Sequence, residues 1–150
     1  GGIIESAINN VPAGIGEPFF DSIESRLSHM IFSIPSVKGI EFGEGFNFAS
    51  LYGSEANDEY YVDNNKDIKA YTNNNGGIIG GLTNGMPIVF RTCIKPTPSI
   101  AKEQRTVNLK NMINEKIRIE GRHDPCIVYR ALPVIDSATA IVILDFILNV

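Results

Sequence analysis

The sequence predicts an α+β fold organised around antiparallel sheet. Three observations predict it. Strand-like runs rich in β-branched residues lie near the start, "GIIESAINN" (2–10), and past the middle, "IVFRTCIK" (88–95). Between them, residues 19 to 34 carry helical spacing instead. Strands and helices also fail to alternate strictly, as a parallel sheet of βαβ units would require.

The first strand, at residues 2–10, ends in "VPAGIGEP", a loop of Gly and Pro. From Pro18 the period changes. Phe19, Phe20, Ile23, Leu27, Met30, Ile31 and Ile34 recur at intervals of three and four, with Asp21, Glu24, Arg26 and Ser28 between them. This spacing predicts an amphipathic helix of about four turns, with Pro18 at its first position and Pro35 stopping it. "VKGIEFG" (37–43) reads as a strand. Residues 52–77 are polar and Asn-rich and read as a long loop or hairpin, the expected mobile region, with no domain boundary in the chain. "GGIIGGLTNGMP" (76–87) packs five glycines around two isoleucines and reads as a tight turn. After the strand at 88–95, "PTPSI" breaks the pattern, and "KIRIE" (116–120) alternates as a strand. A last helix is expected to begin near Pro133 and, being apolar on most sides, to be buried.

The hydrophobic share of 43% and charged share of 20% fit a soluble globular protein. A net charge of −4 gives no bulk field for nucleic acid, so any anion must be held by a local cluster. Cys93 and Cys126 form no CxxC pair. This argues against zinc and a disulfide framework, and predicts free, mostly buried thiols in a reducing cytoplasm. The run "ATAIVILDFILNV" (138–150) is too short for a membrane span and carries Asp145. Because the chain opens on a strand-like segment and stops within an apolar helical pattern, it is expected to be part of a longer protein.

Three segments carry candidate chemistry. "GGIIGG" is not a dinucleotide fingerprint, since it lies outside any doubly wound unit. It is either a turn for close backbone packing or a set of free N–H groups for a phosphate or flavin edge. "KPTPS" ends an apolar strand in two prolines, which cannot continue a central strand. A rigid ledge remains, with one cation (Lys95) and two hydroxyls (Thr97 and Ser99), suited to a phosphate-bearing ligand or, more plainly, to a strand end. In "GRHDPC" (121–126), Arg122 could clamp phosphate or carboxylate, and Asp124 could serve as a base or orient a partner. His123, flanked by both, is either a surface residue or part of the same site, and His29 reads as structural. The residues alone therefore reach an anion-binding α+β domain and no named reaction.

Taken together, "VPAGIGEPFFD" (11–21), "SIPSVKGIEFGEGF" (33–46), "NNGGIIGGLTNGMPI" (74–88), "KPTPSI" (95–100) and "GRHDPCIVYRALPV" (121–134) resemble the chorismate synthase family, in the family's order. The resemblance covers the C-terminal part of the family pattern. Its GxSHG-type and Arg-Ser-Ser segments, with the acid–base histidines, are not in this sequence. Ser36 stands where many relatives have alanine, Asp136 where glutamate is common, and the Asn-rich stretch looks long.

The resemblance implies a sandwich with helices enclosed between antiparallel sheets, a homotetramer, and no nucleic-acid or membrane partner. The reaction it implies is anti-1,4-elimination of phosphate from 5-enolpyruvylshikimate 3-phosphate with reduced FMN, in the shikimate pathway. NADP would enter only as a source of electrons for the flavin. It implies that Pro35 and Ser36 line the flavin, that Gly80 allows backbone approach to it, and that Lys95, Pro96, Thr97, Pro98 and Ser99 form a ledge against it. Arg122 would contact flavin and substrate anions, and Asp124 would be the catalytic group that handles a flavin proton. The chain alone is expected to be inactive. The alternatives are a flavin- or phosphate-binding module without turnover and an oligomerisation domain.

Overall fold

The computed structural model describes residues 1–149. The chain begins with strand β1 (Gly2–Ile8), followed by a 3-10 turn at Phe19–Asp21, helix α1 (Ile23–Phe32) and strand β2 (Val37–Phe42). A second 3-10 turn (Gly45–Ser50) and the single turn α2 (Gly53–Ala56) lead into hairpin β3 (Tyr60–Val62) and β4 (Ile68–Ala70). Hairpin β5 (Ile78–Ile79) and β6 (Leu82–Thr83), strand β7 (Ile88–Ile94), hairpin β8 (Gln104–Asn108) and β9 (Ile113–Ile117), and helix α3 (Val128–Leu148) complete it.

The organising unit is a three-stranded antiparallel sheet in the order β1-β7-β2. Strand β7 alternates, and its even-numbered side chains Ile88, Phe90, Thr92 and Ile94 are all buried. Period-two patterning puts that set on one face, and the paired residues Ile4 and Ile8 of β1 and Phe42 of β2 join it. Helices α1 and α3 cover this face. Ile23, Leu27 and Ile31 recur every four residues along α1, and none of the three is exposed to solvent. Ile135, Ala138, Val142 and Phe146 form the matching stripe of α3. Each large apolar side chain so buried stabilises the fold by about 1.5–3 kcal/mol relative to exposure. Between the helices, Arg26 pairs with Asp145 and lies over the Phe146 ring, 5.1 Å from its centroid. An α+β arrangement with antiparallel sheet is thus what forms.

Several local expectations need correction. Helix α1 starts at Ile23 and not near Pro18, because Ser22 adopts extended backbone and its Oγ accepts the Ser25 N–H at 3.1 Å, a helix cap. Phe19 and Phe20 therefore fall outside the helix and are 89% exposed instead of core-facing. Helix α3 starts at Val128, one and a half turns before Pro133. Its first turn closes through the Arg130 and Ala131 N–H groups onto the Ile127 carbonyl, so Pro133 sits inside the helix. At 21 residues, α3 is long and apolar enough by length and composition to cross a membrane, which corrects the shorter span read from 138–150. Nor is it buried all round. One face packs on α1 and the sheet, while Ile141, Leu144 and Leu148 are exposed. The strand read at 116–120 lies at Ile113–Ile117, with β8 as a partner that periodicity did not reveal. Cys93 is exposed, on the sheet face opposite the helices, and Cys126 is half-buried.

Candidate functional site

Strand β7 delivers the proline ledge. It ends at Ile94 between the starts of β1 and β2, and the Lys95 N–H donates to the Ser36 carbonyl at 2.9 Å. That bond joins two segments separated by almost sixty residues. Ser36 is held at φ +73, the left-handed region that non-glycine residues adopt at a cost of order 1 kcal/mol. Pro35 before it ends α1's exit turn, where the Ile34 N–H bonds the Ile31 carbonyl. Past Lys95, Pro96 packs on the chain start, where a Cβ on Gly1 would lie 2.9 Å from its Cδ. Gln104 donates from Nε2 to the Pro98 carbonyl at 3.0 Å. Lys95 is exposed and the Thr97 hydroxyl is buried without a hydrogen-bond partner. Ser99 is half-buried beside them in sequence.

The "GRHDPC" turn reaches the same end of the sheet. Ile127 and Val128, just after it, pack on the cluster formed by Ile4, Val37 and Ile94. The Val128 side chain lies over Gly2, 3.0 Å from where a Cβ would stand. The turn is thereby tied to the place where β1 begins and β7 ends. Arg122 is exposed and makes no ion pair among the described residues. His123 contacts the Ile119 carbonyl through Nε2 at 3.2 Å, a local structural role. Asp124 is not partnered by Arg122. Its Oδ2 accepts from Nη1 of Arg130 at 2.6 Å, so the first turn of α3 orients the carboxylate.

Gly80 lies elsewhere. With Gly81 it forms the two-residue turn of the β5–β6 hairpin, at φ +61 and +86, and nothing stands within 4 Å of a Cβ placed on it. The Gly81 carbonyl accepts the Ile23 N–H at 3.1 Å, which anchors the hairpin at the start of α1. Ser36 follows the end of α1. Measured along β7, the hairpin is roughly 20 Å from Lys95, from the rise per strand residue. The structure thus gathers Pro35, Ser36, the 95–99 ledge and the 122–124 turn at one sheet end, and leaves Gly80 at the other.

Sequence reasoning missed Arg130 and, more consequentially, Asp58. The Asp58 side chain is buried, and its two oxygens accept four hydrogen bonds. Oδ1 takes the Thr72 hydroxyl at 2.7 Å and the Asn74 N–H at 2.7 Å; Oδ2 takes the Asn75 N–H at 3.0 Å and Asn75 Nδ2 at 2.8 Å. Burial pushes this carboxyl up, yet the donors from Asn75, Thr72 and Asn74 together pull it below its usual value. Asn73 donates from Nδ2 to the Pro87 carbonyl at 2.8 Å, and the Glu44 N–H donates to the Asn74 carbonyl at 2.7 Å. The Asn-rich stretch is therefore the seam that launches the glycine hairpin. A carboxylate amid asparagines was the available signal, and composition alone reads it as solvated.

A shallow apolar depression on the open face of the sheet is bordered by Ile3, Phe46 and Cys93. No cluster of metal-ligating side chains occurs among the described residues.

The family model described as chorismate synthase matches residues 1–148. The chain is 50% identical over 149 residues to the chorismate synthase of Methanocaldococcus jannaschii, covering 99% of this chain and 39% of that one. It is 53% identical over 150 residues to that of Methanococcus maripaludis strain C5, covering 99% and 40%. A solved structure described as a crystal structure of chorismate synthase superposes with a TM-score of 0.78 at 32% identity, covering 99% of this chain and 37% of the other. The chain thus spans about two fifths of the length of the relatives it matches. On the family match across residues 1–148 and these identities, the chain belongs to the chorismate synthase family.

Proposed function

We propose that the chain supplies a flavin- and phosphate-facing wall of an enzyme that eliminates phosphate from 5-enolpyruvylshikimate 3-phosphate, in the anti-1,4 sense, to give chorismate. The observation that carries this reading is the Lys95 N–H to Ser36 carbonyl bond. It brings two family motifs to the sheet end from which a third, the Arg122–Asp124 turn, also emerges. The reading extends to a cytoplasmic homotetramer of a lyase in aromatic amino acid biosynthesis, with no nucleic acid or membrane as partner.

Reduced FMN is the cofactor of this reading and would lend electron density as the phosphate leaves. The residues fit such a group. Thr97 keeps a buried hydroxyl without a partner, Lys95 is exposed next to it on the ledge, and Arg122 is exposed in the segment that leads to Val128 at this sheet end. Lys95 acts as a point charge toward an anionic group, and Arg122 offers a planar fork to phosphate or carboxylate. Pro96 and Pro98 fix the backbone φ and carry no N–H, so the ledge cannot continue the sheet as a strand. Asp124, oriented by Arg130, holds or passes a proton at its free oxygen. Gly80 is the member of the set that the ledge does not support, and would meet a flavin only at the other sheet end.

The test is a fluorescence titration of FMN, oxidised and reduced, against the chain and its Lys95→Ala and Arg122→Ala variants. Each substitution is expected to weaken binding by about 10- to 100-fold, the range for a lost charge-assisted hydrogen bond. Affinity unchanged by both refutes the reading. Chorismate formed by the 150-residue chain on its own would refute the expectation that the chain alone is inactive.

A further inference from the structure

Residues 118–127 join the β8–β9 arm to helix α3 without forming a helix or strand of their own. Across residues 119–126 no backbone–backbone hydrogen bond forms, so side chains set the path of the chain through the "GRHDPC" turn. Two side-chain bonds do so among the described residues. His123 Nε2 lies 3.2 Å from the Ile119 carbonyl oxygen, and Asp124 Oδ2 accepts from Arg130 Nη1 at 2.6 Å. One ties the turn back toward the arm, and the other ties it forward to α3. Because a carbonyl has no proton to give, Nε2 is the donor in the first bond, and Nδ1 is the bare nitrogen of the neutral ring.

The His123 bond closes a small loop that holds Glu120, Gly121 and Arg122. Gly121 is the loose joint in that loop. Its φ is +148, and an added Cβ would meet nothing within 4 Å, so neither a side chain nor packing restrains rotation there. Arg122 follows directly, is exposed and makes no ion pair among the described residues. A long side chain mounted on such a joint would sweep a wide arc. The His123 bond spans the joint and removes that freedom. The Asp124–Arg130 pair lies wholly beyond Arg122 and does not span Gly121.

We propose that His123 is a positioning residue for Arg122: its bond to the Ile119 carbonyl fixes the Gly121 joint and so aims the guanidinium at an anionic group of the ligand. The inference rests on the reading that Arg122 meets a flavin or substrate anion. His123 itself neither touches the ligand nor carries a proton in the reaction. A ligand that needs one arrangement of Arg122 binds with an apparent affinity reduced by the fraction of chains in that arrangement. A hydrogen bond of ordinary net strength changes that fraction by about 2- to 12-fold, less than the loss of Arg122 itself.

Two measurements test it on the same chain. In ¹⁵N relaxation, the backbone order parameters of Gly121 and Arg122 should fall from about 0.85 to below about 0.6 in His123→Ala. They should stay at the wild-type values in His123→Gln, whose Nε2 donates from nearly the same place. In the FMN titration, His123→Ala should weaken binding about 2- to 12-fold, and His123→Gln should restore it. In an Arg122→Ala background His123→Ala should change nothing, whereas general damage to the fold would weaken binding in either background. If Arg122→Ala weakens binding and His123→Ala does not, the positioning role is overturned and the anion reading stands. If Arg122→Ala itself leaves affinity unchanged, the anion reading fails and this inference fails with it. A glutamine variant as weak as the alanine one also overturns the proposal, the outcome expected if the imidazole acts on the ligand directly. So does a wild-type turn already as mobile as that of His123→Ala.

Discussion

Removing the Asp58 carboxylate should unlatch the segment that launches the glycine hairpin. In Asp58→Ala the N–H groups of Asn74 and Asn75 lose their acceptor in a part-buried site, and so does the hydroxyl of the more exposed Thr72. Each unsatisfied buried donor costs about 1–3 kcal/mol, and because the donors share one acceptor their losses do not add fully. A total of about 3 kcal/mol follows, or about 6–12 °C in Tm for a chain of this size. Asp58→Asn retains one acceptor oxygen and should lose about half as much. The dependence on pH has a definite sign. The folded carboxyl titrates below its usual value, so its contribution is fully present above the unfolded pKa of about 4 and is lost as pH falls through the lower folded value. Urea unfolding of wild type and Asp58→Asn should therefore give a constant gap from about pH 5 to 8 that closes in more acidic solution. Amide exchange should report faster opening at residues 74–77 in both variants. A loss under about 0.5 kcal/mol in Asp58→Ala, or a gap that survives acidification, would refute the account.

Gly43→Ala should cost more than about 2 kcal/mol in urea unfolding, because its φ is +54 and an added Cβ would stand 1.9 Å from the Asn74 carbonyl oxygen. Thr92→Val should raise stability by about 1 kcal/mol, since the fully buried Thr92 hydroxyl has no partner and the new methyl group needs none. In an enzyme carrying the remaining family segments, Asp124→Asn should lower single-turnover rates by about 10²–10⁴-fold with FMN affinity nearly unchanged. Arg130→Met should shift the pH profile of that rate while sparing affinity, since Arg130 acts through Asp124.

What was legible in the sequence followed from alternation and from proline. Strand β7 buries every second residue, Ile88, Phe90, Thr92 and Ile94, and Pro96 and Pro98 follow its end, so the strand was read to within one residue. Of the β8–β9 arm only a displaced strand at 116–120 was read, because neither face of "QRTVN" or "INEKI" is buried, which leaves little periodic signal to fix register or partner. Phe19 and Phe20 continue the helical spacing by coincidence. Spacing cannot distinguish a capped start at Ser22 from a longer helix, whereas the serine hydroxyl can. At the proposed site, Lys95, Ser36 and Arg122 could be named together from motif order alone. Partners across space were not: Arg130 sits six residues beyond Asp124, and Asp58 sits sixteen before Asn74. Hydrogen bonds of that separation are properties of the fold and leave no local trace.

The strand order β1-β7-β2 places the last of the three strands to be synthesised in the middle. Until residues 88–94 leave the ribosome, β1 and β2 lack the strand that joins them in this sheet. Every hydrogen bond of the sheet waits for residues 88–94. Assembly of this sheet should therefore be late, cooperative and slow, as long-range antiparallel pairing is in general. Ile88, Phe90 and Ile94 would then govern the rate of acquisition of structure as well as its final depth.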